Sequence, residues 1–113
     1  MARYIYKICD ADLWKIAEES GQFDGAHIDL EDGYIHFSTA DQVASTLALH
    51  FAGITNLLLI EIDSQGLDIR YEPARNGQLF PHLYDSLELR HVRTVWTLDL
   101  DSDNTHILPP LTN

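Results

Sequence analysis

The chain has 113 residues, enough for one domain (1–113) with a single hydrophobic core. Eighteen Asp and Glu against seven Lys and Arg leave a net charge of −11. No cluster of basic residues offsets it, which argues against nucleic acid or an anionic membrane as a partner. No run approaches the ~20 apolar residues that span a bilayer. The first residues carry no apolar signal segment, and the lone Cys9 has no partner for an internal disulfide. A reducing, cytoplasmic setting is expected.

Arg3 to Cys9 is rich in aromatic and β-branched residues and predicts a first strand. Asp10 or Asp12 can cap a helix running to about Ser20, with Leu13, Trp14, Ile16 and Ala17 as its apolar face and Gly21 as its stop. Gln22 to Asp32 reads as an ordered loop. Gly33 to Ser38 then reads as a strand with Ile35 and Phe37 on one side and Tyr34, His36 and Ser38 on the other. An exposed strand face usually carries Lys, Glu or Thr. A phenol, an imidazole and a hydroxyl are instead suited to a small polar ligand.

Thr39 with Gln42 fits a capping box opening a helix from Ala40 to Phe51, whose stripe is Val43, Ala44, Leu47, Ala48 and Phe51. The N–H groups at such a helix start suit an anion. Leu57 to Asp63 is a continuous apolar run, as in the centre of a sheet. Leu67 to Tyr71 predicts a short strand, and Glu72 to Leu87, with Pro73, Gly77 and Pro81, a long ordered loop. Val92 to Leu100 alternates and predicts the last strand. Residues 101–113 are expected to form an edge segment or a partly ordered tail.

No phosphate-binding loop, dinucleotide glycine pattern or nucleophile elbow is present. His27, Asp29, Asp32 and His36 lie within ten residues, but their spacing matches no zinc pattern, and no metal is assigned. Ser38, His36 and Asp41 are too close in sequence to form a triad. A second constellation is Glu72, Arg75, His82 and Tyr84, with Phe80 beside it. Arg75 can present a planar guanidinium to a phosphate or carboxylate. Tyr34, His36, His82 and Tyr84 together would line a cleft able to stack a planar ring and hydrogen-bond a ribose. Equally, Phe80 and Tyr84 could plug the core beneath the loop.

The segments Asp29-Leu30-Glu31-Asp32-Gly33-Tyr34-Ile35-His36-Phe37-Ser38-Thr39-Ala40-Asp41-Gln42 and Phe80-Pro81-His82-Leu83-Tyr84 are distinctive in combination. With the Tyr-Lys-Ile near the start and Trp14 in the first helix, they make the chain resemble the domain of unknown function 952, a family of small bacterial proteins. The resemblance runs from about Tyr4 to Trp96. Tyr71-Glu72 stands where the family often has Trp-Glu.

The resemblance implies an α+β fold similar to the ADP-ribosylation fold: two small, mostly antiparallel sheets forming a cleft, with two main helices. It further implies NAD or an ADP-ribose-like nucleotide as ligand and ADP-ribosyl transfer as the chemistry. His36, His82 and Glu72 would be catalytic, and Tyr34, Ser38, Arg75, Phe80 and Tyr84 would bind the ligand. The strand-helix segment His36-Phe37-Ser38-Thr39 with Ser45 looks like the second motif of the transferases. Glu72 and Glu88 both remain candidates for their late glutamate, and Lys7 or Tyr6 for their first motif. The alternatives are a binding or sensor module without turnover, and a structural or interaction protein.

Overall fold

The computed structural model describes residues 2–113 and runs β1 (Tyr4–Asp10), α1 (Ala11–Ser20), β2 (Gln22–Phe23), α2 (His27–Asp32), β3 (Ile35–His36) and α3 (Val43–His50). It continues through β4 (Leu57–Asp63), β5 (Ile69–Pro73), β6 (Leu79–Leu83), β7 (Leu87–Glu88) and β8 (Val92–Leu98). This is one α+β unit with small antiparallel sheets and three helices. None of the helices is long and apolar enough to cross a membrane.

One sheet has the order β1-β4-β8 and buries apolar side chains on both faces, with Lys7 and Glu61 as buried charged residues among them. Ile5 and Cys9 of β1 join Ile60 and Ile62 of β4 against Trp14 and Ala17 of α1. Tyr6 and Ile8 join Leu57 and Leu59 against Val43 and Leu47 of α3. Helices on both faces explain why β4 reads as an apolar run, interrupted only by Glu61 before its end. Each such buried aliphatic side chain contributes about 1.5–3 kcal/mol relative to exposure. Cys9 is a core residue, and burial pushes its thiol up to about 11.

The second sheet has the order β3-β6-β5, and β2 pairs separately with β7. The chain after β3 joins the two larger sheets. Ile35 and His36 pair with Leu83 and His82 of β6, and Ser38 then exchanges backbone hydrogen bonds of 2.8 and 2.9 Å with Tyr6 of β1. Within four residues the chain leaves one sheet edge and takes up another. The candidate site lies along that seam.

The strands around Leu57, Ile69 and Val92 and helix α1 with its Gly21 stop lie close to their expected places. Several expectations are corrected. The segment from Gln22 to Asp32 contains β2 and α2 instead of a loop. Helix α2 escapes a periodicity reading because its Ile28 and Leu30 face outward and its buried residue is Asp29. Ile16 on α1, and Ala44 and Ala48 on α3, are exposed instead of belonging to the apolar stripes.

Helix α3 starts at Val43. Thr39 to Gln42 form a turn in which Gln42 Oε1 accepts the Thr39 N–H at 3.0 Å, while its amide donates to the Leu79 carbonyl at 2.7 Å. The extended loop from Glu72 to Leu87 contains β6, the central strand of its sheet. Pro81 is tolerated there because its carbonyl faces Phe37 N–H, at 3.0 Å, beyond the end of β3. The missing donor points the same way, so the ladder to β5 loses nothing.

After β8 the chain turns back through a bridge between Leu100 and His106. His106 Nε2 lies 2.8 Å from the Ile54 carbonyl, Leu108 and Leu111 pack on the α3 side of the sheet, and the Thr112 N–H donates to the Tyr6 hydroxyl at 3.0 Å.

Candidate functional site

The site begins with a buried ion pair. Lys7, in the middle of β1, points its ammonium at both oxygens of Asp29, 3.0 and 2.8 Å away, and donates to the His36 carbonyl at 2.9 Å. Asp29 also accepts from the Ala26 and His36 backbone N–H groups, at 2.6 and 3.0 Å, and from His36 Nδ1 at 2.6 Å. Burial by itself would raise the Asp29 carboxyl. Hydrogen bonds from His36 and the charge of Lys7 outweigh it and hold the group at about 2. Burial is also the largest influence on Lys7 and lowers it, against the pull of Asp29.

The other ring nitrogen of His36, Nε2, lies 2.9 Å from Asp32 Oδ2. An ionised carboxylate only accepts, so each His36 nitrogen faces a hydrogen-bond acceptor. His82 stands opposite His36 across the β3–β6 pair, with ring centroids 5.4 Å apart. Its Nδ1 lies 2.8 Å from Glu72 Oε1, an oxygen that also accepts from the Tyr84 hydroxyl at 2.6 Å. Those two hydrogen bonds hold the Glu72 carboxyl below its ordinary value, and the same carboxylate pushes the Tyr84 phenol up to about 12. Among the described residues, none bonds His82 Nε2. In the neutral tautomer that donates Nδ1–H to Glu72, that nitrogen presents a lone pair. The Tyr34 ring packs against His36, His82 and Tyr84, with centroids 4.6, 4.2 and 5.0 Å away.

A cavity of about 640 Å³ opens along the seam, with His36 and His82 at its wall together with Ser38, Thr46, Arg75 and Phe80. The guanidinium of Arg75 stacks over Phe80, 4.8 Å from the ring centroid, and its Nη2 donates to Ser45 and Thr46 hydroxyls at 3.1 and 3.3 Å. Arg3, Lys7, Arg70, Arg90 and Arg93 all lie beside a carboxylate. Among the described residues Arg75 and Lys15 do not, and Lys15 is exposed on α1. Arg75 is thus a half-buried cation whose charge no side chain neutralises.

His36, Ser38, Arg75, Phe80 and His82 therefore meet at one cavity, though nearly half the chain separates them. Tyr34 and Tyr84 sit behind the histidines along a smaller hollow of about 280 Å³, and Glu72 reaches the large cavity only through His82. Glu88 pairs with Arg90 on β7, outside the cavity wall, and Lys7 is engaged with Asp29. His27 is exposed and faces Glu31 at 3.3 Å, so the acidic and histidine residues of 27–36 do not converge as a set. No group of three metal-ligating side chains occurs among the described residues.

Sequence reasoning missed Thr46, whose position on the inner side of α3 only the packing reveals. It weighed Asp29 and Asp32 as metal ligands, whereas both hold His36.

A family model for proteins of unknown function, DUF952, matches residues 8–95. The chain belongs to the DUF952 family. Its fold is similar to the crystal structure of protein CC0527 from Caulobacter crescentus, with 39% identity, a TM-score of 0.86 and coverage of 92% of this chain and 93% of that one. The solution structure of CC0527 gives the same identity with a TM-score of 0.83, covering 91% of this chain and 90% of that one. No curated protein matches the chain.

Proposed function

We propose that this DUF952 protein binds a phosphate-bearing nucleotide of the NAD or ADP-ribose type in the seam cavity, in an architecture of the ADP-ribosylation kind. The observation that carries this reading is the pairing, within one cavity of about 640 Å³, of an un-neutralised arginine with a histidine that keeps a ring nitrogen available. Ligand sites span ~300–1,000 Å³ and place few polar groups in apolar walls. Phe37 and Phe80 supply such a wall, and Phe80 and the histidine rings offer faces for a planar ring.

ADP-ribosyl transfer from NAD is the reaction this arrangement would serve. The bond between the ribose and nicotinamide breaks, with its electron pair leaving on nicotinamide. An acceptor oxygen bonds the anomeric carbon, and the acceptor's proton passes to His82 Nε2. Glu72 is a positioning residue in this scheme, since it holds His82 by Nδ1. His36 positions too, with both nitrogens committed to carboxylates.

One observation favours a second reading, a binding module without turnover. Asp32, the carboxylate at the cavity wall, is engaged by His36, and Glu72 behind that wall is shared by His82 and Tyr84, so neither is free to steady a cationic transition state. Calorimetric titration with NAD and ADP-ribose tests binding, and chromatography of released nicotinamide separates the readings. Saturable binding with nicotinamide release supports transfer. Binding without release supports the module, and no binding to either nucleotide refutes both.

A further inference from the structure

The hydroxyl groups beside Arg75 lie within hydrogen-bond reach of one another. Arg75 Nη2 donates to Thr46 Oγ1 at 3.3 Å, so that oxygen is an acceptor. Thr46 Oγ1 lies 3.2 Å from Ser38 Oγ. Each hydroxyl has one hydrogen to give. Among the described residues, Ser38 Oγ is the acceptor within reach of the Thr46 hydrogen, because the nearby Gln42 carbonyl already receives Thr46 N–H and the Ser45 hydroxyl. The proton order that puts the guanidinium at the head of the chain has Thr46 donating to Ser38. In that order the Ser38 hydrogen has no protein acceptor, on a side chain that is buried, 4% exposed, and forms part of the cavity wall.

We propose that Arg75, Thr46 and Ser38 form a one-way chain of donors that ends in the cavity and receives a phosphoryl oxygen of the ligand. A guanidinium at the head polarises each hydroxyl along the chain, which strengthens the last donor. The remaining guanidinium N–H groups can engage the same phosphoryl group. Such an end presents a hydrogen to an oxyanion. This deepens the nucleotide reading and rests on the seam cavity being a ligand site, but it makes a separate demand. Thr46, which need not touch the ligand, should matter as much as Ser38, which does.

The test is calorimetric titration of ADP-ribose, adenosine, inorganic phosphate and benzoate into the wild-type protein and into Ser38→Ala, Thr46→Val, Thr46→Ser and the Ser38→Ala/Thr46→Val pair. Circular dichroism confirms that each variant is folded. Losing one hydrogen bond to a charged group corresponds to roughly a tenfold or greater weakening. ADP-ribose should therefore bind about tenfold more weakly to both Ser38→Ala and Thr46→Val. The double variant should be no worse than either single one, since both break the same chain. Thr46→Ser, which keeps the hydroxyl, should bind like the wild type. Adenosine should be indifferent to all of these changes.

Wild-type affinity in Thr46→Val, or additive losses in the pair, would overturn the chain. So would preference for benzoate over phosphate. If neither nucleotide binds but inorganic phosphate does, with the same Thr46 dependence, the nucleotide reading fails and the donor chain stands. If ADP-ribose binds with no dependence on Thr46 or Ser38, the reverse holds.

Discussion

His36 and His82 are register partners on β3 and β6, with rings 5.4 Å apart and 69° between their planes, yet their hydrogen bonding is unequal. His36 is held at both nitrogens, by Asp29 and Asp32, and His82 at one, by Glu72. The first is built as part of the frame and the second as a group with a spare nitrogen.

Their substitutions should separate accordingly. His36→Ala removes the ring between two carboxylates and should lower stability by about 1.5–3 kcal/mol. His82→Asn keeps an amide N–H near the position of Nδ1 and removes the second nitrogen. It should cost roughly 1 kcal/mol, in the range of an ordinary neutral hydrogen bond, yet abolish any nicotinamide release. Urea melts of both variants, with nicotinamide release measured alongside, check the split. Equal stability losses, or full release activity in His82→Asn, would remove the distinction.

Asp29 should dominate acid unfolding. Its folded carboxyl sits at about 2 against an ordinary value near 3.8, so the unfolded chain takes up the proton first. The stability it supplies is present above about pH 4 and is lost as pH falls towards 2. A depression of this size corresponds to about 2 kcal/mol. In Asp29→Asn that slope between about pH 4 and 2 should flatten. The same variant should lose about 3–5 kcal/mol at neutral pH, because it strands Lys7 as a buried charge. Thermal melts across this range measure both. An unchanged acid slope would assign the transition to another carboxyl.

Asp29 also shows where the sequence stops being legible. The strands with strong alternation or continuous apolar runs could be read because side-chain burial imposes their period. So could α1, where Asp10 accepts from the Asp12 and Leu13 N–H groups and Gly21 adopts a left-handed φ of 85°. Helix α2 could not be read. It is held by one polar side chain, and its apolar residues lie on the wrong face for any pattern rule. The meeting of His36 and His82 was foreseeable from two matching Tyr-and-His blocks. The inequality between them was not, because it depends on which carboxylates the third dimension supplies. Thr46 was hidden for the same reason: its role lies in a contact to Ser38 across the seam.

The glycines flanking α2 should respond differently to alanine. A Cβ on Gly25 would stand 2.8 Å from Asp29 Cβ, and its φ of +124° disfavours any L side chain. Asp29 cannot yield without breaking its bonds to Lys7 and His36. Gly25→Ala should therefore cost about 3 kcal/mol or more, combining backbone strain with damage to a buried pair. Gly33 has a φ of +83°, and a Cβ there would meet nothing within 4 Å. Gly33→Ala should cost only about 1–2 kcal/mol, from the left-handed conformation alone. Chemical denaturation of the two variants decides this. Equal losses would mean that Asp29 can move aside.

Tyr84 and Glu72 offer a reading of the site that needs no ligand. The Tyr84 phenol is raised to about 12, first by its hydrogen bond to Glu72, then by burial and by the charge of that carboxylate. A raised phenol favours the folded state while it stays protonated. Its contribution is complete below the ordinary value near 10 and is lost as pH rises through about 12. Glu72→Gln keeps a carbonyl oxygen for the hydroxyl but removes the charge. The Tyr84 midpoint, followed by NMR of a ring carbon, should then fall towards about 10. The His82 ring signals should shift in the same variant, since Nδ1 donates to the same oxygen of Glu72. A Tyr84 midpoint that stays near 12 in Glu72→Gln would rule out the carboxylate's charge as its cause, and a silent His82 would separate the histidine from the Glu72 carboxylate.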